Sequence, residues 1–154
     1  MLLSVVGRES GSMGKYVHYV FSTYKRRQLI SEDVAECLKT AFADICRGKG
    51  FRIECYDILI DHVHLLIEKQ DNDSNEYVMK MVKGLSSKAV LAKFSTNRFD
   101  NRKLWGRGYR AYEIIDSDSL RKVIDYIKGQ KANGEDKRFL QLGNRDDIVA
   151  GFQA

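Results

Sequence analysis

Residues 51–68, FRIECYDILIDHVHLLIE, decide the fold because they predict two β-strands in immediate succession. The first strand is expected over 51–59 and the second over 60–68, joined by a tight turn near Ile60-Asp61. Two strands that are connected by so short a turn run antiparallel. This hairpin therefore predicts a sheet that contains antiparallel strands.

The second of these strands carries the sharpest chemical feature of the sequence, the succession His62, Val63, His64. Side chains alternate along a strand, so His62 and His64 point to one face of the sheet and Val63 to the other. The face of Val63 is expected to be buried by two helices, which leaves the imidazoles on the uncovered, solvent-side face. Two imidazoles on one face can share a metal cation, although a pair of half-exposed histidines with ordinary hydrogen bonds fits the same pattern.

The segments on either side of the hairpin alternate between strand and helix patterns. Aromatic and β-branched residues over 16–22 predict a strand. Apolar residues at helical spacing after Ser31, which can serve as the N-cap, predict a helix that Gly48 and Gly50 end. Downstream we expect a helix over 75–94, a strand over 104–115 and a helix capped by Ser117 or Asp118. This order is that of an α+β, ferredoxin-like (RRM-like) β-α-β-β-α-β fold with an antiparallel sheet and an extra C-terminal helix.

Length and composition indicate a single globular domain. The chain has 154 residues, of which 44% are hydrophobic and 31% charged, and no apolar run approaches the ~20 residues that span a bilayer. We expect one domain over 1–154, with an N-terminal extension over 1–14, a C-terminal tail over 131–154, no membrane segment and no signal peptide. The three cysteines lack C-x-x-C spacing, which indicates free thiols in a reducing cytoplasm.

The charge of the chain favours a polyanionic partner. The net charge is +5, and basic residues cluster near aromatic side chains. Cations that follow phosphates, beside rings on which bases stack, are typical of proteins that bind single-stranded or hairpin DNA. A solvated surface is the alternative for each cluster, and Trp105 fits a core position better than a stacking platform. The candidate DNA-binding residues are Lys25, Arg26, Arg27, Lys83, Arg102, Lys103, Arg107 and Arg110.

The C-terminal helix supplies a possible complement to the histidines. Tyr126 and Gln130 are four residues apart, so they lie one turn apart on the same helical face, at the flank of the apolar stripe. If this helix docks on the histidine face, the Gln130 amide oxygen could become a third metal ligand and Tyr126 could meet a phosphate. A partly buried Tyr126 with no chemical role is the simpler interpretation of the spacing alone.

Five segments together resemble the single-tyrosine HUH transposases of small insertion sequences, the TnpA type or IS two-hundred group. They are residues 16–27, 61–66 (DHVHLL), 82–87 (VKGLSS), 104–109 (LWGRGY) and 124–130 (IDYIKGQ). Each motif is weak alone, but all five occur in the family's order and at similar spacing between residues 16 and 130.

This resemblance implies an enzyme, a metal-dependent DNA strand-transferase. Tyr126 would attack a phosphodiester in single-stranded DNA at an insertion-sequence end and form a 5′-phosphotyrosine link, releasing a 3′-hydroxyl. His62 and His64 would bind Mg²⁺ or Mn²⁺, with Gln130 completing the site. The covalent link conserves the bond energy, so the strand can be rejoined elsewhere without ATP.

A homodimer with active sites shared between the chains is also expected. A ferredoxin-like sheet leaves an edge strand exposed, which is a template for pairing with another chain. The histidine face needs a cover, and the helix that follows the short connection 115–117 could reach the sheet of a neighbour. The family resemblance implies such an exchange.

Other functions stay open on the residues alone. A non-catalytic nucleic-acid-binding module on this fold would use exposed aromatic residues of the open face, where this strand carries histidines. A domesticated, repeat-associated nuclease would cut repeat DNA without moving an element. A metal-binding protein without catalysis would not become attached to DNA through Tyr126.

Overall fold

The computed structural model describes residues 14–94, 96–99, 102–132 and 152–153, with the backbone alone at 96, 130–132 and 152–153. The strands are β1 (Lys15–Ser22), β2 (Arg52–Ile58), β3 (His62–Lys69), β4 (Tyr109–Glu113) and β5 (Phe152–Gln153). The helices are α1 (Glu32–Lys49), α2 (Asn75–Lys93) and α3 (Ser117–Ala132). This order confirms the predicted α+β fold with its additional helix. The predicted extension and tail lie mostly outside the described residues.

The strands form one antiparallel sheet in the order β2-β3-β1-β4-β5. The two long central strands, β1 and β3, pair from Lys15 opposite Lys69 to Ser22 opposite His62. These two strands carry all three histidines of the chain, so the sheet register brings together residues that are far apart in sequence. Within the described ranges, no helix is both long and apolar enough to cross a membrane.

The face of the sheet that α1 and α2 cover forms the main core. Burial of one large apolar side chain contributes about 1.5–3 kcal/mol, so this face supplies most of the stabilisation. Its residues from the central strands are each at most 2% exposed: Val17, Tyr19, Phe21, Val63, Leu65 and Ile67. The helices bury against them Val34, Leu38, Phe42, Cys46, Val78, Met79, Val82 and Val90.

The ends of two helices differ from the sequence-based prediction in their capping groups. α1 begins after Ser31, as predicted, but the Ser31 hydroxyl bonds to the Asp33 carboxylate and not to the helix backbone. α3 was expected to be capped by Ser117 or Asp118; instead the Ser119 N–H donates to Asp116 Oδ1 at 2.7 Å. An acceptor just before the first turn satisfies an N–H group that the helix itself leaves unbonded.

The predicted strand over 104–115 is wrong in its first part, because β4 begins only at Tyr109. Trp105 instead forms an isolated bridge with Thr23, is 9% exposed, and packs edge-on against Phe21 with the ring centroids 4.7 Å apart. Its Nε1 donates to the buried Ser86 hydroxyl at 3.0 Å. Trp105 is therefore a core residue, as its sequence context favoured.

The opposite face of the sheet is covered by α3 and has a much smaller apolar cluster. Cys55, Leu66 and Ile127 are each at most 1% exposed and form its centre. Partly buried side chains surround them: Tyr16, Ile114, Leu120, Val123, Ile124 and Tyr126. The helix that carries Tyr126 is thus held on the histidine face of its own chain's sheet.

Candidate active site

His62 and His64 occupy the face of β3 that α3 covers. The alternation predicted from the sequence is confirmed, because their neighbours Val63 and Leu65 lie in the main core on the other face. The expectation that the imidazoles lie on a solvent-side face is wrong: both residues are 0% exposed. Their ring centroids are 5.3 Å apart. Tyr126 of α3 lies against His64, so the docking of α3, a long-range event, contributes to the burial of His64.

Each of these two imidazoles has its Nδ1 atom held by a neighbouring side chain. His62 Nδ1 lies 2.7 Å from Asp61 Oδ1, and His64 Nδ1 lies 2.9 Å from Nε2 of His18. A carboxylate or similar partner on one ring nitrogen is the usual support of a histidine that binds metal through the other. In both residues, Nε2 is therefore the nitrogen through which a cation would be bound.

His18, on β1, is a site residue that the sequence analysis missed. It is 4% exposed, and its ring stacks on that of His64 with the centroids 5.2 Å apart. Tyr112 and Tyr126 lie near the same ring, at 5.5 Å and 6.3 Å between centroids. The alternation of β1, with Val17 and Tyr19 facing the main core, is the sequence signal that could have placed His18 on this face.

Burial keeps two of these imidazoles neutral. It lowers the pKa of His18 to about 3. Burial, together with the proximity of His18 and His62, lowers the pKa of His64 well below its ordinary value. An imidazole binds a metal ion only in its neutral form. His64 therefore presents its nitrogen donor in the required state near neutral pH.

Tyr126 lies against this group of histidines, as the helix spacing allowed. Its ring centroid is 5.7 Å from that of His64, and its hydroxyl oxygen is shielded from solvent. The adjacent Ile127 is fully buried against Cys55 and Leu66, which fixes the rotation of α3 about its axis. The structure therefore brings together a phenol and the two predicted metal ligands.

The donor set fits an incomplete metal site that other ligands must finish. Two imidazoles come from one strand, but in the part of the chain that the structure describes no three His, Cys, Asp or Glu side chains group around a cation position. Gln130 lies on α3 one turn after Tyr126; its side chain is outside the described residues, so its role as a ligand stays a prediction. Imidazole pairs suit transition metals, and an amide oxygen suits Mg²⁺ or Mn²⁺.

Asp57 adds a carboxylate to this face that the sequence analysis did not identify. It lies directly opposite His64 in the β2–β3 pairing and is 7% exposed. Directly opposite residues of an antiparallel pair have their side chains on the same face. The carboxyl group of Asp57 therefore lies on the same face of the sheet as the histidines.

Several of the predicted DNA-binding residues gather where β1 ends. The turn after β1 is bonded to the segment that precedes β4, since Tyr24 N–H donates to the Leu104 carbonyl and Gly106 N–H to the Ser22 carbonyl, each at 2.9 Å. Lys25 Nζ and Lys103 Nζ each lie 5.3 Å from the centroid of the Tyr24 ring. We call the group drawn together in this way the basic patch: Tyr24, Lys25, Arg26, Arg27, Arg102, Lys103 and Arg107.

The backbone of the basic patch is strained. Lys25, Arg26 and Arg102 have φ values of 53°, 54° and 57°, in the left-handed region that non-glycine residues rarely adopt. Strain of this kind costs on the order of 1–3 kcal/mol per residue and concentrates at functional sites. Arg26 also joins the patch to the histidines: its guanidinium lies 3.3 Å from Asp61 Oδ2, while Asp61 Oδ1 contacts His62.

The two remaining predicted DNA-binding residues lie elsewhere. Arg110, on β4, is opposite Val20 of β1, which is itself opposite His64, so Arg110 belongs to the histidine face. Lys83 is mostly buried, and its ammonium donates to the carbonyls of Gly106 and Gly108 at 2.8 and 2.7 Å. Burial lowers its pKa to about 8. These contacts favour a structural role for Lys83, while its contact with DNA stays a prediction.

Comparison with known families and proteins identifies relatives of this chain. Residues 12–130 match the family model described as "Transposase IS200 like". The chain is 32% identical over 127 residues to the transposase for insertion sequence element IS200 of Salmonella typhimurium, covering 81% of each chain. It is 27% identical over 89 residues to the ISDra2 transposase TnpA of Deinococcus radiodurans, covering 58% of this chain and 61% of that one.

A solved structure shares the fold. A REP-associated tyrosine transposase bound to a REP hairpin superposes with a TM-score of 0.60, covering 86% of this chain and 74% of that one at 18% identity. At this level of identity the similarity shows the common fold alone.

Proposed function

Because the chain belongs to the family of IS200-like transposases, we propose that it cleaves and rejoins single-stranded DNA with Tyr126 as the nucleophile. The observation that carries this proposal is the position of the Tyr126 ring, 5.7 Å from that of His64 on a buried face of the sheet. A tyrosine beside two imidazoles, bordered by a basic patch, can attack a phosphodiester that the patch positions.

The reaction follows from the groups on this face. Tyr126 gives up its phenolic proton, and its oxygen forms a bond to phosphorus while the bond from phosphorus to the 3′ oxygen breaks. The departing 3′ oxygen takes up a proton and becomes a hydroxyl, leaving a 5′-phosphotyrosine link. Attack on that link by the 3′-hydroxyl of another strand reverses these steps and releases Tyr126.

His62, His64 and Gln130 would hold Mg²⁺ or Mn²⁺. When bound, such a cation polarises the scissile phosphate and stabilises the negative charge that develops on it. The hydrogen bonds between the two Nδ1 atoms and their partners, Asp61 Oδ1 for His62 and His18 Nε2 for His64, keep the two imidazole rings in fixed orientations. The cover that α3 provides excludes water from the face, which strengthens every electrostatic contact within it.

The substrate would be a single strand whose end folds into a hairpin. The basic patch offers cations for phosphates together with the Tyr24 ring, and Arg110 extends positive charge toward the histidines. The structural neighbour that is bound to a REP hairpin supports a hairpin substrate. We place the reaction in the cytoplasm, which the three free thiols support.

Covalent capture tests the proposal. The full chain is incubated with Mn²⁺ and a labelled single-stranded insertion-sequence end, and the adduct is resolved on a denaturing gel. Tyr126→Phe should bind the DNA normally and form no adduct. Tyr112→Phe is the matched control, because Tyr112 also lies beside His18 on this face; it should retain the adduct. An adduct with Tyr126→Phe would overturn the assignment of the nucleophile.

We further propose a homodimer in which α3 is exchanged, so that each site combines histidines and Tyr126 from different chains. Two features support exchange: the cluster that holds α3 has only three fully buried members among the described residues, and Ile115 in the connection before it is 85% exposed. Mixing His64→Ala with Tyr126→Phe should then restore adduct formation. If each chain uses its own α3, as in the single chain, the mixture stays inactive.

A further inference from the structure

His18 neither attacks the phosphate nor binds the cation in the proposed reaction, yet it is built into the centre of the site. It is 4% exposed, its Nε2 lies 2.9 Å from His64 Nδ1, and its ring stacks on the His64 ring with the centroids 5.2 Å apart. The contact joins the two central strands across the β1–β3 pairing. A buried polar side chain placed in this way fixes the orientation of the ring to which it is hydrogen-bonded.

The hydrogen bond between these rings can exist in two forms with opposite consequences. In the first, His64 Nδ1–H donates to His18 Nε2, so His64 Nε2 carries a lone pair. In the second, His18 Nε2–H donates to His64 Nδ1, so the proton of neutral His64 is on Nε2. A metal ion can bind His64 through Nε2 only in the first form.

We propose that His18 is a positioning residue that accepts the Nδ1–H of His64 and so holds His64 in the tautomer that binds metal through Nε2. His62 receives the equivalent support from the Asp61 carboxylate, whose Oδ1 lies 2.7 Å from its Nδ1. The two ligands are thus supported by different groups, a local carboxylate for one and an imidazole from another strand for the other. This inference rests on the proposed metal site.

Two variants separate hydrogen bonding from packing. His18→Phe keeps an aromatic ring against His64 but removes the acceptor. His18→Gln replaces the ring with an amide whose oxygen can reach the same place and accept the bond. Loss of such an outer partner lowers metal affinity by about 10–100-fold. We expect this loss in Mn²⁺ titration calorimetry of His18→Phe and its recovery in His18→Gln.

Nitrogen-15 NMR of metal-free, histidine-labelled full-length protein reads the tautomers without requiring activity or metal. In the unaltered protein we expect His64 to be protonated at Nδ1 and His18 to be unprotonated at Nε2. A proton on Nε2 of His64 would overturn the proposal even if His18→Phe failed to fold. Unchanged Mn²⁺ affinity in a folded His18→Phe would overturn it as well, leaving the metal site intact. Absence of Mn²⁺ binding by the unaltered protein would overturn both the proposed metal site and the role of His18.

Discussion

The two faces of the sheet are made from alternate residues of the same strands, yet they differ in almost every physical property. On the face toward α1 and α2, β1 and β3 contribute Val17, Tyr19, Phe21, Val63, Leu65 and Ile67 to a large apolar core. On the face toward α3 they contribute all three histidines beside a cluster with three fully buried members in the described part of the chain. Stabilisation is thus concentrated on one face and polar chemistry on the other.

This difference explains how a buried polar site is tolerated. Burying imidazoles is unfavourable unless their nitrogens are bonded, and Asp61 and His18 supply those bonds. We expect the large core on the other face to hold β1 and β3 in place when residues on the face toward α3 are substituted. The comparison predicts that substitutions at neighbouring positions of one strand will have separable effects on stability and on chemistry.

His64→Ala and Leu65→Ala, adjacent on β3 and on opposite faces, should give the largest contrast. His64→Ala removes a proposed metal ligand and should reduce adduct formation by more than the roughly 100-fold that loss of an outer partner costs. Leu65→Ala should reduce the free energy of unfolding by about 2–5 kcal/mol, because it leaves a cavity in the main core. Urea unfolding and Mn²⁺-dependent adduct formation measure the two effects.

Two outcomes would contradict the expected contrast between His64→Ala and Leu65→Ala. His64 is fully buried, so His64→Ala will also cost some stability, about 0.5–3 kcal/mol. The separation of the faces would be contradicted if folded Leu65→Ala bound Mn²⁺ as weakly as His64→Ala. It would also be contradicted if His64→Ala were the less stable of the two.

A smaller effect is expected from loosening the helix that covers the site. Ile127→Ala removes the one α3 side chain that lies among the three fully buried cluster residues, and so should weaken the docking of α3 without unfolding the sheet. Hydrogen exchange should accelerate over 117–129 and stay slow in β1 and β3. Val82→Ala, from α2 in the main core, is the matched control and should accelerate exchange throughout. Acceleration of the whole sheet in Ile127→Ala would show that the two faces are not independent.

The part of the site that was predictable from the sequence depends on local periodicity. Alternation along β3 placed His62 and His64 on one face, and helical spacing placed Tyr126 at the flank of α3. The support of His64 by His18 depends on the β1–β3 register, which joins residues 46 positions apart. A single histidine within an apolar strand has no local feature that reveals such a partner.

The burial and the hydrogen-bond partners of the site residues were harder to predict from the sequence, because they also depend on long-range contacts. The exposure of His64 depends on where α3 docks, since Tyr126 packs against its ring, and the pattern of β3 does not contain that information. The basic residues near Lys25 and Arg102 were identified by charge, and their assembly follows from backbone bonds between two distant segments. Charge alone could not show that Lys83 has carbonyl partners, because those partners belong to a distant loop in which Gly108 has a positive φ of 81°.

The smallest effect concerns Lys83, a lysine that the sequence grouped with the DNA-binding residues and that the structure places on the core side of the sheet. Its ammonium donates to the carbonyls of Gly106 and Gly108, so Lys83→Met should change DNA affinity little. Arg27→Met, in the exposed basic patch, is the control and should weaken binding in a salt-dependent way. Equal losses of affinity in the two variants would assign Lys83 to the DNA surface.

Lys83 should also affect how the free energy of unfolding depends on pH. Burial lowers its pKa to about 8 in the folded chain, below the ordinary value of 10.5. Between these values the unfolded chain holds a proton that the folded chain has lost, so raising the pH through this window favours the folded state. The free energy of unfolding, measured by urea titration at pH 7.5, 8.5 and 9.5, should therefore rise more in the unaltered protein than in Lys83→Met. Parallel curves for the two proteins would mean that Lys83 keeps its ordinary pKa, and that its two carbonyl partners offset the cost of burying its charge.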